Sequence, residues 1–314
     1  MKQTVFLLLL TALCCSPNLA IQASDKSKIH ASTLDHSNSA KQAVLSEDLD
    51  RAAKLIESTI KSHPEYAESY RVAGDIYIVQ ARSASLFSAP GLAKKALKNY
   101  KKAVKMEPNN PRYRLNLMQY YLNAPSIVGG DKEKAEEEAK QIEKLQPLMG
   151  VVAHSILYRN KNDLDSLKSL FSSLSSDQLM QPLVRLERAQ FLIINKQEQA
   201  GMNELNQLAG INPDSLLGEE DKRVPYKALL VMGFAGLENE KLYQAAIGGF
   251  KRYIDTAPQS YGYPDRRWIR LSLAQLLVQG GDEKAAKSAL KKIQQESKSK
   301  ELLKETKKAL KRLS

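Results

Sequence analysis

The chain has almost no cysteine, since only Cys14 and Cys15 occur among its 314 residues. Both lie in an N-terminal segment that we expect to be removed. The mature chain is therefore predicted to have no disulfide bond, no thiolate metal site and no cysteine nucleophile. A helical protein of this size buries enough apolar surface to fold without such crosslinks.

Histidine is also scarce, and two of the four histidines, His30 and His36, precede the predicted folded region. Two histidines without carboxylates at ligand spacing are more often solvated than metal-bound, so no metal or cofactor is predicted. The sequence also lacks the glycine-rich nucleotide-binding motifs, the H-E-x-x-H zinc motif and the G-x-S-x-G nucleophile motif. We therefore expect that the protein is not an enzyme.

The sequence has one long hydrophobic run, residues 5–13, which is too short to span a bilayer as a helix. Lys2 precedes the run, and the small residues Ala20 and Ala23 follow it. This order is typical of a secretory signal peptide, and residues 1–23 are predicted to be cleaved on export. The mature protein is then expected to be periplasmic or secreted, with no transmembrane segment.

Three further segments follow from composition and periodicity. Residues 24–45 are rich in serine, lysine, histidine and alanine without an apolar period, which predicts a flexible linker. Apolar residues recur at helical spacing from residue 46 onward, so residues 46–314 are predicted to form one helical domain. The period weakens in residues 148–182, which we interpret as a degenerate unit.

Within the helical domain, small and aromatic residues recur in a fixed order. One unit consists of Tyr70-x2-Ala73-Gly74-x2-Tyr77, then Ala96-x3-Tyr100-x2-Ala103, then Pro108. This unit resembles the tetratricopeptide repeat, a helix pair of about 34 residues with small and aromatic positions in that order. The segment A-P-S-I-V-G-G at 124–130, followed by D-K-E-K-A, is also similar to a segment of exported bacterial proteins of this family.

The resemblance implies an all-α fold, a right-handed superhelical solenoid of about six helix–turn–helix repeats. Residues 301–313 read as a polar C-terminal capping helix, which a solenoid needs to cover its open end.

Two insertions lengthen neighbouring repeats between their first and second helices. The first lies between Tyr77 and Ala96 and contains Arg82, and the second is the turn 124–130. Equivalent turns of stacked repeats lie side by side, so we expect the two insertions to form one joint feature. The candidate binding residues of this feature are Arg82, Ser126, Gly129 and Gly130.

In the family, the first helices line a concave surface on which peptides or partner segments bind. The resemblance places six polar residues of this chain there: Arg71, Asp75, Arg112, Asn116, Gln119 and Asn123. They differ from the lysine, asparagine and arginine set with which some family members hold a terminal carboxylate.

Charge is a further feature that bears on function, since the chain carries a formal net charge of +12. Lys94, Lys98, Lys101 and Lys105 follow one another at helical spacing and form a basic stripe. A stripe of this kind is most often a solvated face, but it also attracts anionic partners. Nucleic acid is not expected, because the stripe lacks interleaved surface aromatics.

These observations predict a non-catalytic interaction scaffold in the cell envelope, which binds a peptide or protein segment in its concave groove. One alternative is a basic surface binder of anionic envelope polymer or lipid, acting through the lysine stripe and the C-terminal helix. A second alternative is an enzyme of unrecognised type, or the regulatory part of one, with its site at the insertions near Arg82 and Asp131.

Overall fold

The computed structural model describes residues 37–313 of the chain. The predicted signal peptide, the linker up to residue 36, and His30 and His36 lie outside the described residues. Within residues 37–313 all regular structure is helical, with sixteen α-helices, short 3₁₀ turns and no strand. The predicted all-α helical-repeat fold is confirmed.

Packing divides the described chain into two compact units. Unit 1 consists of residues 37–160 together with residues 260–262, and unit 2 consists of residues 161–259 and 263–313. The division falls within residues 148–182, the segment in which the repeat pattern weakens.

Unit 1 contains seven helices that follow one another along the chain. Their bounds are residues 37–45 (α1), Leu49–Ser62 (α2), Ala67–Ser83 (α3), Ala89–Met106 (α4), Pro111–Asn123 (α5), Lys132–Leu145 (α6) and Pro147–Lys161 (α7), whose last residue belongs to unit 2. A 3₁₀ turn, Ser126–Val128, lies between α5 and α6.

Local sequence explains where these helices begin. The Asn110 side chain accepts hydrogen bonds from the first backbone N–H groups of α5, and Pro111 occupies the first helical position, where no N–H is needed. Asp131 caps α6 by accepting from the Lys134 N–H at 3.1 Å.

Gly74 lets α3 and α4 approach, since a Cβ at that position would collide with the ring of Tyr100.

The helix α1 differs from the expectation of a flexible linker through residue 45. Residues 37–45 are helical, and Ala40 and Ala43 are buried. Lys41 forms an ion pair with Glu68 of α3 at 3.7 Å. The sequence indicated at most a weak first helix at residues 41–45, because alanine contributes little to a hydrophobic period, although its small side chain suits a close helix contact.

Unit 2 contains nine helices that also follow in chain order. Their bounds are Leu164–Ser172 (α8), Ser176–Met180 (α9), Pro182–Ile194 (α10), Glu198–Ala209 (α11), Val224–Glu238 (α12), Tyr243–Thr256 (α13), Arg266–Gln279 (α14), Glu283–Glu296 (α15) and Lys300–Lys311 (α16). The most extensive packing within this unit joins α10 to α11, α12 to α13 and α14 to α15.

The last helix, α16, packs on α15 and α14, with Leu302 and Thr306 buried. Its exposed side carries lysines, as a helix that covers the end of a stack requires. The predicted C-terminal helix is therefore present, and it begins one residue before the predicted position.

Candidate functional site

The polar residues predicted for the groove divide into two groups in unit 1. Arg71 and Asp75 of α3 belong to a buried charged cluster. Asn116, Gln119 and Asn123 of α5 line a pocket beside the two insertions. Arg112, in the first turn of α5, does not line this pocket.

The charged and polar groups of this cluster form hydrogen bonds with one another within unit 1. Arg71 is 3% exposed and donates to both oxygens of Glu68, with each N–O distance 2.6 Å. Asp75 accepts from Arg71, from the Tyr100 hydroxyl at 2.7 Å and from the Tyr261 hydroxyl at 2.8 Å.

Burial, reinforced by the Asp75 carboxylate, raises the pKa of Tyr100 and Tyr261 well above the usual tyrosine value. Both hydroxyls therefore keep their protons and act as donors. The expectation that Arg71 and Asp75 lie on an accessible concave surface is not met. Arg71 is buried, and the Tyr261 hydroxyl donates to the Asp75 carboxylate.

The pocket has a volume of about 300 Å³ and lies where α3, α4 and α5 end or begin near the insertions. This volume is at the lower end of the range for ligand pockets. Its apolar walls come from the end of α3, the first turn of α4 and the turn after α5: Ile78, Ala81, Ala89, Pro90, Ala93, Pro125, Ile127 and Val128.

Besides Tyr100 and Tyr120, three carboxamides and one guanidinium are the polar side chains of this apolar pocket. Asn116, Gln119 and Asn123 are spaced three and four residues apart, so they lie on one face of α5. Arg82 reaches the pocket from the last turn of α3. Gln119 is 8% exposed, and its Oε1 atom has no hydrogen-bond partner within residues 37–313.

The Oδ1 atom of Asn123 likewise has no hydrogen-bond partner in the described part of the chain. The Nδ2 group of Asn123 donates a hydrogen bond to the backbone carbonyl oxygen of Gln119 at 2.8 Å. Two side chains of the pocket lining therefore each have a buried amide oxygen without a hydrogen-bond donor among residues 37–313.

The two insertions meet at Tyr120, as the stacking of neighbouring repeats predicts. The Tyr120 hydroxyl lies 2.8 Å from the carbonyl oxygens of both Ala93 and Val128, and it donates to one of them at a time. Its ring also meets Tyr100 edge-on, with the ring centres 6.2 Å apart. The sequence does not indicate this role of Tyr120, because residue spacing does not show which groups its hydroxyl contacts.

Ser126, Gly129 and Gly130 shape the second insertion and do not line the pocket. Gly129 has a φ of 97°, and its N–H donates to the Ser126 carbonyl at 2.9 Å. A Cβ on Gly130 would collide with the Ala124 carbonyl. Among the four residues predicted at the insertions, only Arg82 faces the pocket.

Large apolar side chains are exposed on the two insertions. Leu86 and Phe87, just before α4, are 91% and 98% exposed, and Ile127 on the second insertion is 78% exposed. Of these three residues Ile127 lines the pocket, while Leu86 and Phe87 precede its lining residue Ala89 by three and two positions. Exposed apolar patches beside a concavity are frequent at interaction sites. The sequence contained this signal as a Leu-Phe pair inside an insertion.

The lysine stripe lies along α4. Lys94, Lys98, Lys101 and Lys105 are all exposed, and α4 contains six lysines and no acidic residue. Lys101 lies over the ring of Tyr121, 5.8 Å from its centre. Lys94 and Lys98 form no ion pair within residues 37–313.

A second basic surface lies on α16 in unit 2. Lys300, Lys304, Lys307, Lys308 and Lys311 surround Leu303 on this helix. Within the described residues, no group of three or more histidine, cysteine or acidic side chains is arranged to hold a metal ion. No helix among residues 37–313 is long and apolar enough to cross a bilayer.

No protein-family model matches the chain, and no curated protein matches it. Solved structures do match. The chain is similar to yeast Tom70, with 14% identity, a TM-score of 0.53, and coverage of 99% of this chain and 68% of that one.

Two further structures are similar over much of the chain. The Cut9–Hcn1 hetero-tetramer of APC/C has 14% identity and a TM-score of 0.49, with coverage of 88% of this chain and 48% of that one. A tetratricopeptide repeat protein from Parabacteroides merdae has 15% identity and a TM-score of 0.42, with coverage of 89% and 98%. The likeness to Tom70 shows the fold alone: this chain has the tetratricopeptide-repeat fold.

Proposed function

We propose that this protein is an exported, non-catalytic scaffold of the cell envelope, and that it binds a segment of another protein at the pocket between its insertions. The observation that carries the proposal is the pocket itself, with apolar walls, carboxamide side chains and the exposed Ile127 in its lining. The exposed Leu86 and Phe87 precede the lining residue Ala89 in the first insertion. Exposed aromatic and aliphatic groups beside a concavity are typical anchors of protein interfaces.

The proposal moves the binding site from the groove as a whole to one part of it. Arg71 and Asp75 form an ion pair with each other. Arg71 also pairs with Glu68, and Asp75 accepts from two tyrosine hydroxyls, so a partner could bind either residue only by breaking these contacts. Gln119 and Asn123, by contrast, line the pocket, and one oxygen of each side chain has no hydrogen-bond partner within residues 37–313. The N-terminal segment 1–23, typical of a signal peptide, supports export to the envelope.

Site-specific photocrosslinking in the native cells tests this proposal. A benzophenone amino acid in place of Ile127 or Phe87 is expected to capture one discrete protein from the envelope fraction. The matched control places the same group at exposed Gln199 of unit 2, where no such adduct is expected. Equal capture at all three positions, or none at Ile127 and Phe87, would refute the pocket as a protein-binding site.

A second candidate function is binding to anionic polymer or lipid through the lysine stripe, which the exposure of Lys94, Lys98, Lys101 and Lys105 favours. Salt separates the two candidates. Exposed charges are screened beyond about 8–10 Å at physiological salt, so binding by lysines alone should fall steeply as salt rises. Binding in an apolar pocket should change much less.

A further inference from the structure

We propose that α16 of unit 2 docks this protein onto the surface of an anionic phospholipid bilayer. The outer, lysine-bearing face of the helix meets the lipid headgroups, and Leu303 lies among them. This inference goes beyond the proposed function and does not depend on the pocket of unit 1. Three features of α16 carry it: the position of its lysines, their lack of acidic partners, and a partly exposed leucine among them.

Helical spacing puts four lysines of α16 on its outer face. Successive residues of an α-helix turn by about 100°, so the positions four, seven and eleven after the first lysine lie with it in an arc of about 60°. The buried residues Leu302 and Thr306 lie on the other side of the helix, which packs on α14 and α15. The four lysines are all exposed and form a straight row about 16 Å long: Lys300, Lys304, Lys307 and Lys311.

Acidic groups of the described chain do not neutralise this row. Lys300, Lys304 and Lys307 form no ion pair within that part of the chain. The helix contains five lysines and two glutamates, and one of the two, Glu305, pairs with Lys308 beside the row at 2.7 Å. An excess of positive charge attracts anionic surfaces, and clusters of about four to eight basic residues on a helix are typical of contacts with anionic lipid.

Leu303 favours a bilayer over a dissolved anionic polymer. Its side chain is partly exposed and lies among the lysines of the row. A bilayer offers this side chain the apolar region below the headgroups, while the flexible stems of the lysines let their ammonium groups reach the phosphates. A hydrated polyanion offers leucine no such partner. Nucleic acid is disfavoured as well, because α16 contains no aromatic residue on which bases could stack.

The lysine stripe of α4 has the same spacing but lacks an available leucine. Leu97 also follows the first lysine of its stripe by three positions. It packs against the second insertion, since a Cβ on Gly129 would lie 2.5 Å from Leu97 Cδ2. Three lysines of α4 also lie over tyrosine rings of unit 1. The two helices therefore differ in the feature that distinguishes a bilayer contact from a merely charged face.

Sedimentation of the full mature chain with large vesicles tests this inference. Vesicles with about 30% phosphatidylglycerol in phosphatidylcholine should bind the protein at physiological salt, and pure phosphatidylcholine should not. K300Q/K304Q should weaken binding about tenfold to thirtyfold, because each lysine near an anionic surface contributes about fivefold. The matched control, K94Q/K98Q, removes two exposed lysines at the same spacing from α4 and should bind normally.

A change at Leu303 separates insertion of this side chain from attraction by charge alone. L303A keeps every lysine and should weaken binding about two- to fivefold, because less apolar surface leaves water at the bilayer. L303M restores a large apolar side chain and should bind nearly as well as the unmodified protein. Circular dichroism during heating shows whether each variant remains folded.

The outcomes decide between a bilayer, a polymer and no site. Absence of binding to the phosphatidylglycerol vesicles, or equal losses in K300Q/K304Q and K94Q/K98Q, overturns the inference. Binding to polyphosphate that K300Q/K304Q abolishes, without binding to vesicles, assigns the row to a polymer and also overturns it. Unchanged binding by L303A overturns the part assigned to Leu303. None of these results bears on the pocket, which crosslinking at Ile127 and Phe87 tests separately.

Discussion

Replacement of Gln119 by methionine should stabilise the free protein while weakening its binding of a partner. The Oε1 atom of Gln119 is buried without a hydrogen-bond partner in the described chain, which costs about 1–3 kcal/mol. Methionine has a similar length and helix propensity, and its flexible thioether fits an irregular apolar pocket. We expect the free energy of unfolding to rise by about 1 kcal/mol, because part of the gain is offset by lost amide contacts.

Gln190 of unit 2 provides a matched control for this substitution. It has the same exposed fraction as Gln119, 8%, and its Nε2 group donates to the Leu186 carbonyl at 3.3 Å. The Q190M substitution removes this hydrogen bond but does not remove an unpaired acceptor. The free energy of unfolding should therefore stay the same or fall by about 0.5–1 kcal/mol.

Urea unfolding followed by circular dichroism measures both variants, and a thermal midpoint higher by about 2–4 °C is the corresponding shift for Q119M. The reasoning would be refuted if Q119M lost as much stability as Q190M. That result would mean that the Gln119 oxygen is solvated in the free protein.

Two further substitutions test the geometry around the pocket. G130A should destabilise the protein by about 1–3 kcal/mol, because its Cβ would collide with the Ala124 carbonyl, whereas G91A, with open space in α4, should stabilise it by about 0.5–1 kcal/mol in the same urea titration. Equal effects would show that the second insertion relaxes easily. Y261F should cost about 1.5–3 kcal/mol by removing a hydrogen bond to the Asp75 carboxylate, while Y243F, whose hydroxyl has no bonded partner among the described residues, should have no effect. A Y261F protein as stable as Y243F would show that the Tyr261 contact is not formed in solution.

Much of the local organisation was predictable from residue spacing. The period of small and aromatic residues predicts closely packed helices, and in the structure Gly74 lies against the ring of Tyr100. Helical spacing also predicted that Lys94 and Lys98 share an exposed face. These predictions hold because helical periodicity fixes which side chains share a face, whatever lies further along the chain.

The joint position of the two insertions was also predictable, because equivalent turns of stacked repeats must be neighbours. The pocket between them was not. Its depth depends on where the Tyr120 ring lies and on how the Ser126–Val128 turn closes over the start of α4. Spacing along the chain does not contain this information.

The sequence by itself determined the class of fold, the order of the helix pairs and the charge of α4, since each depends on residues within one or two turns of one another. Only the tertiary structure decided which polar residues remain available. Asp75 and Tyr261 are 186 positions apart, and their hydrogen bond occupies a carboxylate that the family resemblance places on the concave surface. Gln119 and Asn123 have the same local pattern, yet their oxygens remain unpaired. The physical reason is that satisfaction of a buried polar atom depends on every group that folding brings within hydrogen-bond distance.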